Sequence, residues 1–195
     1  GTVTDEDGNF KLVYDEDDIT LKDRLQISSL GYQTLNVSPR QLIRLLTNTT
    51  KIFLPPQPME LDEVFLTNEK RKEIRIGHAN PDTDILGYWK DKYALGGEIA
   101  TKFKIKHKRT QLLDLKFNIL ENNTDSLKIR VNVYDYKRGY PGDKILKQNI
   151  LTTIKQTNGT FNVDLRPYHV KVDDDIVVSI ELVKVYGDTI EFAIS

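Results

Sequence analysis

The chain has 195 residues, 28 Lys+Arg against 29 Asp+Glu for a formal net charge of −1, and no cysteine. Near-neutrality excludes a global field that would draw it to nucleic acid or to an anionic membrane, and the missing cysteines exclude disulfides, thiolate metal sites and a cysteine nucleophile. No uninterrupted apolar run approaches the ~20 residues of a membrane helix, so no transmembrane segment is expected.

In chain order, short stretches of period two alternate with turn residues, the pattern of an all-β sandwich. Strands are expected near Asn9–Tyr14, Leu25–Ser29, Gln33–Val37, Lys51–Leu54 and Glu60–Leu66. Asp5-Glu6-Asp7-Gly8-Asn9 reads as a hairpin turn whose glycine takes positive φ without steric cost. Gly31 lets the chain bend between two strands, and Tyr32 is expected to bury its ring. One helix is predicted: Ser38 caps it, Pro39 takes the first helical position, and Leu42, Ile43, Leu45 and Leu46 form an apolar stripe. Asn48-Thr49-Thr50 ends it.

Residues 69–96 lose the alternation. Glu69-Lys70-Arg71-Lys72-Glu73 is a charge run and His78-Ala79-Asn80-Pro81-Asp82 is turn-rich, so a linker or entry loop is expected here, between modules at 1–68 and 97–195. Alternation returns in Phe103 and Ile105, in Leu113, Leu115, Phe117 and Ile119, and in Leu127, Ile129, Val131 and Val133, each with polar residues between. Further strands are expected at Asn149–Lys155, Thr160–Leu165, Ile176–Val183 and Ile190–Ile194. Glu121-Asn122-Asn123, Tyr140-Pro141-Gly142-Asp143, Asn158-Gly159 and Gly187-Asp188 read as turns, Asn158-Gly159 as a tight hairpin. About seven antiparallel strands at this spacing point to a sandwich of jelly-roll type.

Three pieces of the first third stand out: Gly1-Thr2-Val3-Thr4-Asp5-Glu6-Asp7-Gly8-Asn9-Phe10, Leu25-Gln26-Ile27-Ser28-Ser29-Leu30-Gly31-Tyr32-Gln33-Thr34, and Leu61-Asp62-Glu63-Val64. Together they resemble the carboxypeptidase regulatory-like domain of Bacteroidetes proteins. The resemblance implies a small transthyretin-like (prealbumin-like) sandwich in an exported protein. Such domains begin with two strands before the position of Gly1, so this module is expected to be a partial one. The chain opens on Gly-Thr-Val-Thr with its only methionine at Met59, and reads as a piece of a longer protein. The remaining two thirds are similar, through Ile129–Gly142, to uncharacterised sandwich regions that follow this domain.

No catalytic constellation emerges. His78, His107 and His169 are followed three positions on by Pro81, Thr110 and Val172, so no HxxE or HExxH zinc pattern exists. Nucleophile elbows and phosphate loops are absent, and no two of the many carboxylates are singled out as a glycosidase pair. Asp5, Asp7, Asn9 and Glu16 match positions 1, 3, 5 and 12 of a calcium loop, but Phe10 stands where that loop needs glycine. A bare turn is expected, with no cofactor and no metal. Lys102, Lys104, Lys106 and Lys108 form a basic stripe, read as guarding an edge strand.

Six aromatic residues are candidates for ligand contact. Tyr88, Trp89 and Tyr93 cluster where the second module begins, and as a group are expected to plug its core. Tyr134 and Tyr136 fall on the solvent side of their strand, with Tyr140 on the adjoining turn. The resulting expectation is a non-catalytic accessory, adhesive or ligand-binding module of an exported bacterial cell-envelope protein. It would be periplasmic, outer-membrane-associated or extracellular, and would meet a glycan or a protein. Two alternatives are a fragment associated with a TonB-dependent outer-membrane glycan transporter, since Leu61–Val64 resembles a TonB-box stretch, and a carbohydrate-binding module of an unrecognised hydrolase.

Overall fold

The computed structural model of the chain describes residues 2–5, 7–13, 20, 23–29, 31–57, 72–77, 86–90, 94–146 and 148–195. Two compact units are present, one of Leu12–Arg71 and one of Gly1–Lys11 together with Lys72–Ser195. Both are built on antiparallel pairing, and no helix among the described residues is long and apolar enough to cross a membrane.

In the smaller unit, β1 (Leu25–Ile27) and β2 (Leu35–Val37) pair with Leu25 opposite Val37. Helix α1 (Pro39–Asn48) follows at once. Ser38 Oγ accepts the Gln41 N–H and the Gln41 side chain accepts the Ser38 N–H, so two otherwise orphaned donors are satisfied reciprocally. Of the predicted apolar stripe only Leu42 is buried, while Ile43, Leu45 and Leu46 are exposed. Two three-residue strands offer too little surface to cover a helix face. The strands expected at Asn9–Tyr14 and Lys51–Leu54 do not form among the described residues. Instead Gln33 N–H donates to Pro55 and Gln57 N–H to Gly31 around an isolated Tyr32–Pro56 bridge, which leaves the Tyr32 ring exposed rather than buried. The expected strand Glu60–Leu66 lies outside the described residues, as do Leu61–Val64 and His78.

The larger unit is a sandwich. Its strands are β3 (Gly87–Trp89), β4 (Glu98–Phe103), β5 (Thr110–Gln111), β6 (Asp114–Asn122), β7 (Ser126–Lys137) and β8 (Tyr140–Lys144), then β9 (Ile150–Ile154), β10 (Gly159–Asp164), β11 (Lys171–Val172), β12 (Ile176–Tyr186) and β13 (Phe192–Ile194). One sheet runs β10-β6-β13-β3. The other runs β4-β12-β7-β8, with β9 also on β7, and β5 and β11 make a separate short ribbon. Leu127, Ile129, Val131 and Val133 of β7 and Ile176, Val178, Ile180 and Leu182 of β12 face one core with Trp89, Ile119, Val163, Phe192 and Ile194 of the other sheet. Burying each of these side chains is worth about 1.5–3 kcal/mol relative to exposure.

Several turn and boundary expectations need correction. The segment 69–96 is not simply a linker, because Gly87–Trp89 pairs with β13, Phe192 opposite Trp89. Nor does the N-terminal turn belong with the smaller unit, since Gly1–Lys11 packs with the sandwich. Tyr140-Pro141-Gly142-Asp143 is strand, not turn. The reversal falls at Arg138 and Gly139, both at positive φ (51° and 95°), and Pro141 is tolerated because β8 is an edge. Asn158-Gly159 closes no hairpin: β9 pairs with β7 and β10 with β6, so the chain changes sheets there. The lysine stripe also ends early. Edge strand β4 stops at Phe103, so only Lys102 of the four lysines lies in it.

The aromatic cluster at β3 divides by strand alternation. Trp89 is 5% exposed and stacks on Phe192 at 5.3 Å between ring centroids, whereas Tyr88 is 66% exposed. Trp89→Ala is therefore expected to cost about 3–5 kcal/mol in equilibrium denaturation, and Tyr88→Ala less than about 0.5 kcal/mol. A Trp89→Ala loss no larger than that of Tyr88→Ala would contradict the core assignment.

Candidate ligand-binding face

Because β7 and β12 send their apolar residues inward, the residues between them point outward, and the register brings these into rows. Asn132 lies opposite Ser179 and Arg130 opposite Glu181 across the β7–β12 pair. Across β12–β4, Ser179 lies opposite Ala100 and Glu181 opposite Glu98. On the far side of β7, Tyr134 lies opposite Lys144. An outward face of a sheet is ordinarily wet, yet here Asn132 is 1% and Ser179 2% exposed. Longer neighbours cover them.

Hydrogen bonds knit the rows together. The Tyr134 hydroxyl donates to both Glu98 oxygens, at 2.8 and 3.0 Å, and Ser179 Oγ donates to Glu98 Oε2. Arg130 Nη1 donates to both oxygens of Glu181, at 3.2 and 3.1 Å, and Asn132 Nδ2 donates to Glu181 Oε2 at 3.0 Å. Removing Arg130 would leave a nearly buried carboxylate uncompensated, which is costly even where the intact pair adds little. At the end of the face, Lys102 Nζ lies 3.0 Å from Asp175 and 3.5 Å above the centre of the Tyr136 ring. Burial opposes the Lys102 charge, but the bond to Asp175 and the nearby Tyr136 outweigh it and raise its pKa. The same bond, with Ile105 N–H as a second donor, lowers the pKa of Asp175.

The six predicted contact residues are thus separated. Tyr134 and Tyr136 share this outward face, though Tyr134 gives its hydroxyl to Glu98 and Tyr136 has one ring face under Lys102. Tyr140 pairs with Lys137, out of phase with Tyr136, and is 75% exposed on the other side of the ribbon. Trp89 belongs to the core. Tyr88 stands alone on the opposite sheet, over a shallow recess shared with Leu86, Lys90, Glu121 and Glu191. Tyr93 lies outside the described residues. Sequence reasoning passed over Glu98, Ser179 and Glu181. The signal was present in Ile176–Val183, where Ser179 and Glu181 interrupt an apolar run at alternate positions.

A further concavity carries less chemistry. An open groove of about 810 Å³ lies beside Val3–Asp5 and Val183–Val185. In it Asp5 is committed to its own turn, accepting the N–H groups of Asp7 and Asn9 at 3.0 and 2.7 Å. Among the described residues no group of three His, Cys, Asp or Glu is placed to hold a metal ion. No family model, curated protein or solved structure matches the chain.

Burial raises the pKa of the Tyr134 phenol well above its ordinary value of 10.0, and the hydrogen bond to Glu98 raises it further. The sign follows from the folded value exceeding the unfolded one: the stabilisation is complete below pH 10 and is lost as pH rises toward the folded pKa. A spectrophotometric titration should show a tyrosine that resists ionisation, and Tyr134→Phe should remove it. A Tyr134→Phe titration that still contains the late tyrosine would refute the assignment.

Proposed function

We propose that the sandwich unit is a non-catalytic recognition module, carried by a protein exported to the bacterial cell envelope, whose outward five-stranded face binds a glycan. The observation that carries this reading is the lattice around Glu98 and Glu181. Two carboxylates are held in fixed positions by Tyr134, Ser179, Asn132 and Arg130 on a rigid sheet. Glu98, the exposed one, is oriented in advance and accepts sugar hydroxyls without first having to be ordered, which is where preorganisation gains affinity, while the buried Glu181 anchors Arg130 and Asn132. Both already accept hydrogen bonds from donors fixed by the fold, which suits them to holding a ligand in place. The placement at the cell envelope and a partial transthyretin-like first module rest on the resemblance of the first third to the regulatory-like domain, and the jelly-roll type of the second rests on its strand spacing.

The test is calorimetric titration of the full chain with a panel of oligosaccharides. At least one should bind, and Glu98→Ala should weaken it about tenfold or more, the loss of one or two hydrogen bonds to a charged group. The variant should remain folded by circular dichroism, with a thermal midpoint lowered by the loss of the Tyr134 and Ser179 hydrogen bonds. Unchanged affinity in Glu98→Ala, or no binding by any oligosaccharide, would sink the reading.

A further inference from the structure

Arg130 and Lys144 leave on this face cationic donors that the protein does not itself use. Arg130 gives only Nη1 to Glu181, and its Nε is the one buried side-chain nitrogen or oxygen among the described residues with no hydrogen-bond partner. Lys144 Nζ lies 5.7 Å from the centre of the Tyr134 ring, and no carboxylate among the described residues is within ion-pair distance of it. Lys102, Lys137 and Arg166, by contrast, each end on an aspartate. Burial lowers the pKa of Lys144, and the charge of Arg130 lowers it further against the opposing pull of Glu181 and Glu98. Keeping the unpaired Arg130 Nε out of water costs free energy until an acceptor arrives, whereas Lys144, only partly desolvated, is exposed and open to a ligand.

Two ion pairs on the face close on themselves. Lys102 meets Asp175 and Arg130 meets Glu181, while Glu98 accepts from Tyr134 and Ser179. Lys128 and Lys184 face each other further along the rows, and beside Glu98 stand Lys144 and the Nε edge of Arg130. Nε and Nη2 together present the guanidinium edge that fits the two oxygens of a carboxylate, and Lys144 adds a point charge beside it. An acceptor seated at Nε must displace the side chains that close over it. A ligand suited to the whole face carries hydroxyls for Glu98 and an anion for Arg130 and Lys144. We propose that the glycan is acidic, and that Arg130 and Lys144 bind the carboxylate of a uronic acid unit while Glu98 accepts hydroxyls of the same chain. This rests on the reading of the face as glycan-binding.

The experiment compares oligogalacturonate and alginate oligomers with neutral cello- and galacto-oligosaccharides on the full chain. Acidic oligomers should bind at least about tenfold more tightly, and Lys144→Gln should cost about tenfold for acidic oligomers only. Arg130→Lys, which keeps the charge beside Glu181 but loses the planar edge, should weaken acidic binding likewise. Equal affinity for acidic and neutral oligomers, or acidic binding untouched by Lys144→Gln, overturns the inference and leaves glycan binding standing. Failure of every oligomer, acidic and neutral, overturns both.

Discussion

The register between β7 and β12 is the constraint on which the sandwich depends. With Val131 opposite Ile180 and Val133 opposite Val178, both strands turn the same alternate residues inward and the remainder outward. A slip of one residue would exchange the two sets, placing Arg130, Asn132, Ser179 and Glu181 in the core. One pairing therefore determines both the apolar interior and the polar lattice. Asn132 and Glu181 hold it from the outer side, where their bond joins residues 49 positions apart.

The register is not uniform along its length. A bulge between Leu182 and Lys184 shifts the phase of β12, so Val185 rather than Lys184 falls opposite the inward Leu127. The inward set thus changes from even to odd positions without breaking the strand, as a one-residue insertion must do. A second irregularity, between Tyr134 and Tyr136, lets β8 carry Lys144 opposite Tyr134 while Tyr140 falls out of phase. These two bulges decide which side chains join the outward face.

Much of this was legible in the alternation. β6, β7, β9, β10 and β12 were readable because each is long enough for period two to repeat, and α1 because Ser38 and Pro39 mark its start chemically. Gly87–Trp89 escaped because three residues display no period, and it becomes a strand only through its pairing with β13. Tyr140–Lys144 escaped because Pro141 and Gly142 imitate a turn, whereas positive φ at Arg138 and Gly139 makes one. Asn158-Gly159 misled because turn chemistry states that the chain reverses, not which strand it then meets. The face itself was only half visible. Tyr134 could be placed outward from its own strand, but its link to Glu98 spans 36 residues and that of Ser179 to Glu98 spans 81. Register, not local pattern, creates those neighbours.

The account stands or falls on where a ligand touches the sandwich. Backbone amide shifts of the labelled full chain, followed during titration with the oligosaccharide that binds most tightly, test this directly. The account predicts that the largest changes fall in β4, β7, β8 and β12 around Glu98, Arg130, Tyr134, Lys144 and Ser179, with Tyr88 and Trp89 unmoved. Changes gathered instead on β3 around Tyr88, or along the groove beside Val183–Val185, would contradict it.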